Sequence, residues 1–284
     1  AKSKRPATWS TGATSSAVIS AVSSPTMLVD TLTRCISPIS PSRCFKSPEK
    51  QRAPSQQRKQ MPKLLLVAFE GFELLDAFGP LELLLLAGYS VTIAAPTNGV
   101  VRGGVVGSEA CKSEAAKLEV RSCVPVVASH SLVEALSQKW DLLLVPGGQG
   151  TRALVGDEPF LATLALLCDA SAAVASVCTG SALLAAAGVL DGRKATTNKR
   201  GWAWVTESSK RAATVEWTPR ARWVADRTGG KLCATSSGVA AGLDMAVWLA
   251  SDLLGAGVGE AAAKRAEYVP STDPADDPFA ALVK

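Results

Sequence analysis

The chain has 284 residues, 47% of them hydrophobic and only 5% aromatic, which supplies a sizeable core packed through small side chains and excludes a disulfide scaffold. Its formal charge of +5 is unevenly placed: residues 1–60 hold ten Lys and Arg against Asp30 and Glu49, and the remaining 224 carry 20 bases and 23 acids. The globular part is therefore mildly acidic and shows no nucleic-acid footprint.

Residues 1–60 are rich in Ser, Pro, Arg and Lys and lack sustained periodicity. Such a segment buries too little apolar surface to offset its ordering entropy, and the sequence predicts it to be disordered. Two readings stay open: an organelle transit peptide, giving a plastid or mitochondrial address, or a non-native extension of a cytoplasmic protein that begins at Met61. The chain starts at Ala1, as a fragment would. From residue 61 to 284 the pattern predicts one domain in which strands alternate with helices. Residues 63–69 (KLLLVAF) read as a strand buried on both faces. Residues 76–87 follow as a helix, with Pro80 placed in its first turn. A strand at 90–95 precedes a Gly-rich, then Ala/Lys/Glu-rich stretch at 97–120, read as an irregular insertion and flexible loop. Its Gly103-Gly104-Val105-Val106-Gly107 lacks the order of a nucleotide-binding loop. Further on come a strand at 142–145, a helix at 159–170, a strand at 173–177 and a helix at 181–187. Strands at 214–217, 221–225 and 231–235 lead to closing helices at 239–254 and 258–267. Short links between alternating elements imply a mostly parallel sheet covered on both sides. The longest apolar tract, 161–190, is interrupted by Asp169 and mixes in Ser, Thr and Gly, so it divides into helix, strand and helix, and no membrane span is expected.

The seven cysteines (35, 44, 111, 123, 168, 178 and 233) form no C-x-x-C pair, and His130 is the single histidine. No metal site at the usual spacing follows from them, and their scatter fits a reducing compartment. Cys178 is singled out by its surroundings. In Ala175-Ser176-Val177-Cys178-Thr179-Gly180-Ser181 an apolar strand runs directly into a small-residue helix with the thiol at the corner, as in a nucleophile elbow. Unpaired N–H groups at the helix start favour an anion there, so the elbow is expected to make the thiolate dominant at neutral pH. The competing reading is a core cysteine at a strand end. Val145-Pro146-Gly147-Gly148 closes another strand, and in an open α/β sheet this loop would face the same crevice. The N–H groups of Gly148 and Thr179 could then form an oxyanion hole; otherwise the loop is a plain turn. Asp76, at the start of its helix, is read either as a helix cap or as a general acid beside the thiol.

Four segments taken together resemble the ThiJ/PfpI superfamily: 74–80 (LLDAFGP), 144–148 (LVPGG), 176–180 (SVCTG) and 235–244 (TSSGVAAGLD). The resemblance runs in order over about residues 62–280 and looks closest to the branch with isonitrile hydratase and the single-domain PfpI-like proteins. It implies a flavodoxin-like three-layer sandwich, usually a homodimer, that acts on a small molecule without cofactor or metal. It also implies a nucleophile at Cys178, an acid partner at Asp76, donors at Gly148 and Thr179, and a pocket touching Gly147, Asn198 and Ser237. One departure stands out: relatives often carry Thr-Thr-His-Trp where this chain has Thr196-Thr197-Asn198-Lys199. Since His130 is read as a surface residue before a short helix, a Cys–His–acid triad lacks its base, and peptide or glutamine hydrolysis is not expected. The leading expectation is a cysteine-dependent hydratase or lyase resembling isonitrile hydratase. The alternatives are a glyoxalase- or deglycase-like activity on α-oxoaldehydes and a non-catalytic redox sensor. The chain ends soon after its closing helices, so no DNA-binding region is expected behind them.

Overall fold

The computed structural model describes residues 60–104 and 123–283; the leader and most of the insertion, with Cys35, Cys44 and Cys111, lie outside the described residues. The strands are β1 (Lys63–Val67), β2 (Ser90–Ala95), β3 (Gly99–Gly104), β4 (Cys123–Ala128), β5 (His130–Ser131), β6 (Trp140–Val145), β7 (Ser171–Val177), β8 (Lys194–Ala195), β9 (Glu216–Trp217), β10 (Trp223–Asp226) and β11 (Leu232–Ser236). The helices are α1 (Leu74–Leu86), α2 (Leu132–Ala135), α3 (Thr151–Leu154), α4 (Glu158–Ala170), α5 (Gly180–Ala186), α6 (Trp202–Glu207), α7 (Ala241–Leu254) and α8 (Val258–Arg265).

Seven strands form one sheet in the order β10-β11-β7-β6-β1-β2-β5, parallel throughout except for the antiparallel edge strand β10. Its central strands are apolar almost without interruption. Leu64–Val67, Leu142–Val145 and Ala173–Val177 are fully buried, as a sheet covered on both faces requires. Helices α1, α7 and α8 pack together as one layer, while α2 through α6 form a second chain of contacts. The result is the α/β three-layer sandwich expected from the sequence. No helix among the described residues is long and apolar enough to cross a membrane.

Three sequence expectations change. First, α1 begins at Leu74, two residues earlier than the pattern suggested, which puts Pro80 in its second turn. Pro80 forgoes a backbone hydrogen bond there and is buried close to Gly242 of α7. Second, part of the expected loop at 97–120 is ordered as β3, which pairs antiparallel with β4. The N–H of Gly104 donates to the Phe72 carbonyl at 2.7 Å and that of Gly71 to the Arg102 carbonyl at 2.8 Å, so Gly103-Gly104 belongs to a strand lying against the loop after β1. Third, the strand expected at 214–217 is a 3₁₀ turn at Lys210–Thr214 followed by only two strand residues in β9.

The chain makes β1, turns one way to β2 and β5, then crosses to the other side of β1 for β6, β7 and β11. The direction of strand order reverses between β1 and β6. In open α/β sheets the crevice beyond the strand carboxyl ends opens at such a reversal. The residues that follow β1, β6 and β7 are Asp76, Pro146-Gly147-Gly148 and Cys178.

Candidate active site

Cys178 sits between β7 and α5 at φ 58°, one of two described non-glycine residues with positive φ. That conformation costs an L-residue roughly 1–2 kcal/mol and persists only where neighbours enforce it. Its N–H is shared between the carbonyls of Ser236 and Ser237 at 3.2 Å each, at the end of β11. Its own carbonyl accepts from Thr197 Oγ1 at 2.9 Å and from Ser181 Oγ at 3.1 Å. Four bonds from three segments thus fix the corner. The side chain is 7% exposed, so the sulfur is reachable but largely desolvated.

Asp76 is the third residue of α1, fully buried, and does not cap the helix. The capping reading is therefore corrected: Glu73 holds the cap position without a side-chain bond, and Asp76 Oδ2 instead accepts from the Gly147 N–H at 3.0 Å. Oδ1 has no partner of ordinary hydrogen-bond geometry, so the carboxyl's interaction with the Cys178 thiol is a loose one. Gly147 lies where the three loops meet. A methyl group added at its Cα would stand 2.6 Å from the Thr179 nitrogen and 2.8 Å from Asp76 Oδ2, which leaves no space for a side chain.

Electrostatics separate this site from an ordinary thiol. Burial, reinforced by the charge of Glu73, pushes the Asp76 carboxyl up to about 8, with the Gly147 N–H and Cys178 pulling weakly the other way. Burial also pushes the Cys178 thiol up, followed by repulsion from an ionised Asp76; the Thr179 N–H and the Asn198 side chain oppose both. The expectation of a freely ionised thiolate at neutral pH therefore needs correction. Desolvation outweighs the helix start, and the two groups titrate as a pair that resists carrying two negative charges.

Asn198 also faces the sulfur. Its Oδ1 accepts from the Gly201 N–H at 2.8 Å, which fixes the amide orientation and turns Nδ2, a donor, toward Cys178. A side chain on Gly238 would collide with that Nδ2. Gly238→Ala and Asn198→Ala should consequently shift the thiol in the same direction, each raising its apparent pKa by removing or displacing the donor that opposes burial. The pH dependence of iodoacetamide alkylation measures it, and a thiol unmoved in both variants would remove Asn198 from the site.

The expected oxyanion donors are both present but differently employed. The Thr179 N–H serves the sulfur. The Gly148 N–H donates to Thr179 Oγ1 at 3.0 Å, within a cluster in which Thr151 Oγ1 donates to the Gly148 carbonyl at 2.7 Å. Gly148 is thus tied to the neighbouring hydroxyl and not open to the crevice. Ser237 is buried and touches the site through its carbonyl. His130 lies in β5, four strands from β7 and so about 19 Å away across the sheet, with Ser129 Oγ on its Nδ1 at 2.9 Å. Among the described residues no three His, Cys, Asp or Glu side chains gather as a metal-holding group.

Sequence reasoning missed a buried ionic cluster beside Asn198. The Lys199 side chain is 1% exposed; its Nζ donates to Thr196 Oγ1 and to the Ala221 carbonyl, each at 2.7 Å, and pairs with Asp277 at 3.6 Å. Arg222 joins Asp277 at 3.9 Å and Asp244 at 2.5 Å, and Asp244 also accepts from Tyr268 and Ser271. Residues 268–282 are thereby fastened to the segment carrying Asn198. Burial pulls the Lys199 amine down to about 8, against the pull of Asp277. Asp277 is one of three aspartates in the tail, with Asp273 and Asp276, and spacing does not distinguish it from a surface charge.

A three-layer α/β sandwich with a cysteine forced to positive φ at the crevice, and a buried carboxyl beside it, defines a class of proteins with a candidate cysteine-based site. The chain belongs to the DJ-1/PfpI family, which it matches over residues 62–251. Among curated relatives it is 36% identical to isonitrile hydratase of Pseudomonas putida over 46% of this chain and 53% of that one, so the match spans about half of that enzyme. It is 26% identical to deglycase TK1284 of Thermococcus kodakarensis over 61% of this chain and 93% of the relative. Among solved structures, a ThiJ/PfpI family protein from Pseudomonas syringae superposes with a TM-score of 0.61 at 22% identity, covering 80% of this chain and 84% of that one. The last comparison speaks to the fold alone.

Proposed function

We propose that this protein is a cysteine-dependent hydratase acting on small isocyanides. The observation that carries the reading is the Cys178–Asp76 pair with Asn198 in place of a basic partner: one nucleophile and one proton, with no histidine beside them among the described residues. Addition to a terminal isocyanide carbon needs only those two. The singly charged pair can hold its proton on either group; burial of the thiol favours the proton on sulfur, and the reactive tautomer is the one in which that proton has passed to Asp76 and sulfur carries the charge. The sulfur attacks the carbon of R–N≡C, the S–C bond forms, and Asp76 delivers its proton to that carbon, giving the thioimidate R–N=CH–S–Cys178. Water then adds to the same carbon, one of its protons going to the nitrogen and the other to the Asp76 carboxylate; the S–C bond breaks, R–NH–CHO leaves, and the pair returns to a thiolate beside a protonated carboxyl. The Thr179 N–H and Asn198 Nδ2 hold the sulfur's charge before attack and on departure. The small-molecule substrate and a homodimeric assembly belong to the same proposal.

The match to a deglycase along nearly the whole of that relative supports a second reading, in which the same sulfur attacks the aldehyde carbon of an α-oxoaldehyde. One preparation offered methyl isocyanide and methylglyoxal in parallel separates the two. Formation of N-methylformamide at a rate proportional to enzyme, with methylglyoxal consumed no faster than in buffer, is the expected result. Lactate formation without formamide would replace hydration by the second reading. Reversible oxidation of Cys178 at low peroxide, with neither substrate turned over, would make the site a redox sensor instead.

A further inference from the structure

A cavity of about 260 Å³ opens beside the site, lined by Asn198, Ser237, Val239, Ala240, Phe279 and Leu282, among others. Its inner wall is made by residues that touch Cys178: Asn198 through its side chain and Ser237 through the carbonyl that receives the Cys178 N–H. Its outer wall is apolar apart from the exposed Arg200. Val239 and Ala240 lead into α7, and Phe279 and Leu282 come from the C-terminal segment. Phe279 and Leu282 are 56% and 48% exposed, unusually open for large apolar side chains, yet their backbone is held in place. Asp277 Oδ1 accepts the Phe279 N–H at 3.0 Å, and the Asp277 N–H donates to the Arg220 carbonyl at 3.1 Å. Lys199 also lines the cavity, but its amine is turned into the cluster with Thr196, Ala221 and Asp277. The one polar group aimed between sulfur and cavity is therefore the Asn198 amide.

We infer that this cavity is the subsite for the substrate's substituent, that the substituent is apolar, and that Phe279 and Leu282 set how large it can be. The inference rests on the hydratase reading for the identity of the reacting group, and on the cavity alone for the shape and polarity of what is attached to it. A substrate whose reacting carbon lies at the sulfur extends past Asn198 into a space walled mostly by carbon, with the exposed Arg200 also among its lining residues. A neutral polar substituent would lose most of its hydration against those walls. At about 30 Å³ per water-sized unit the space holds roughly eight such units, enough for a short alkyl chain or a single ring. Because the pocket walls come from three separate segments, two of them joined by buried ion pairs, the subsite is formed before any ligand arrives.

The test compares a homologous series on the full chain. Methyl, ethyl and butyl isocyanide should show kcat/KM rising about fourfold with each added methylene until the cavity is full. Leu282→Trp, which fills the space, should bring the butyl-to-methyl ratio close to one, and Phe279→Ala should lower it by about threefold or more by opening the wall to water. Both side chains are half exposed, so loss of fold is not expected; an unchanged melting temperature checks it. A second readout needs no turnover: the rate of Cys178 alkylation by iodoacetamide against N-butyl-iodoacetamide in the same three proteins. If isocyanides are not hydrated but the butyl reagent reacts faster in a Leu282-dependent way, the hydratase reading falls and the subsite stands. If isocyanides are hydrated with no dependence on chain length, or with one that ignores both variants, the subsite is overturned and the hydratase reading survives. A change in oligomeric state in Phe279→Ala with selectivity unaltered would overturn it too, by showing that a second copy of the chain covers this face.

Discussion

Cys178→Ala is expected to lower turnover by at least about 10³-fold while leaving the protein folded. Removing a nucleophile that forms the covalent intermediate eliminates the reaction path instead of weakening it, and the loss is measured in kcat and in kcat/KM alike. The corner itself does not depend on the sulfur. It is held by the backbone bonds to Ser236 and Ser237 and by the hydroxyls of Thr197 and Ser181, none of which the substitution touches. A companion variant reads the conformational cost directly. At φ 58° glycine is unstrained where alanine is not, so Cys178→Gly should be more stable than Cys178→Ala by about 1 kcal/mol, the reverse of the order expected in a strand or helix. Chemical denaturation of the two variants measures it. Equal stability would mean that the corner is not strained, and activity retained in Cys178→Ala would end the proposed mechanism outright.

Asp76→Asn should cut kcat by about 10²- to 10⁴-fold, the range for loss of a positioned acid, and should at the same time make the protein more stable above neutral pH. The sign follows from linkage. The carboxyl is raised from the ordinary range near 4 to about 8 in the folded state. Between those two values the folded protein holds a proton that the unfolded chain has released, so stability falls as pH rises. The contribution is fully present below about pH 4 and lost progressively up to about pH 8, and at roughly 1.4 kcal/mol per unit the ceiling is on the order of 5 kcal/mol. Asparagine keeps an acceptor for the Gly147 N–H and removes the charge that is hard to bury, so its stability should be flatter over that interval. Melting temperatures at pH 5 and pH 8 give the answer: wild type should drop between them by clearly more than the variant. Parallel curves would show Asp76 ionised in the native state and incapable of donating the proton. The same pair predicts a bell-shaped rate profile for wild type, rising as the first proton leaves the pair and falling when the second does; Asp76→Asn should lack the alkaline limb.

How far the sequence reached is plain from individual residues. Continuous apolar runs such as LLLV at 64–67 and 142–145 identified the buried parallel strands, because a strand covered on both faces has no polar side to show. The meeting of Asp76, the Pro-Gly-Gly loop and Cys178 was also legible, since all three follow strands of a parallel sheet and so emerge at one end. Orientation was not. Whether Asp76 caps α1 or faces the crevice depends on where the helix starts, and the start shifted by two residues. The thiol's ionisation was misjudged because spacing reports the favourable helix start but not the burial that opposes it. The ionic cluster of Lys199, Arg222, Asp244 and Asp277 was invisible, because its members are 22 to 78 positions apart and individually look like surface charges. The strand β3 was missed for a related reason: glycines mark turns by default, and the pairing with β4 and the contact with Phe72 that make 99–104 extended are both distant in sequence.

The shared bond from the Cys178 amide to the last residues of β11 carries a consequence for biosynthesis. When a ribosome has finished the stretch that contains the cysteine, nearly sixty further residues must be joined before the partner carbonyls of Ser236 and Ser237 exist. Until then the thiol belongs to an unfinished sheet edge, without the corner, the amide from Asn198 or the wall supplied by the tail. A nascent polypeptide therefore carries a plain, exposed cysteine, and its special reactivity switches on only after the segments that hold Asn198, Ser236 and Ser237 have been joined and packed.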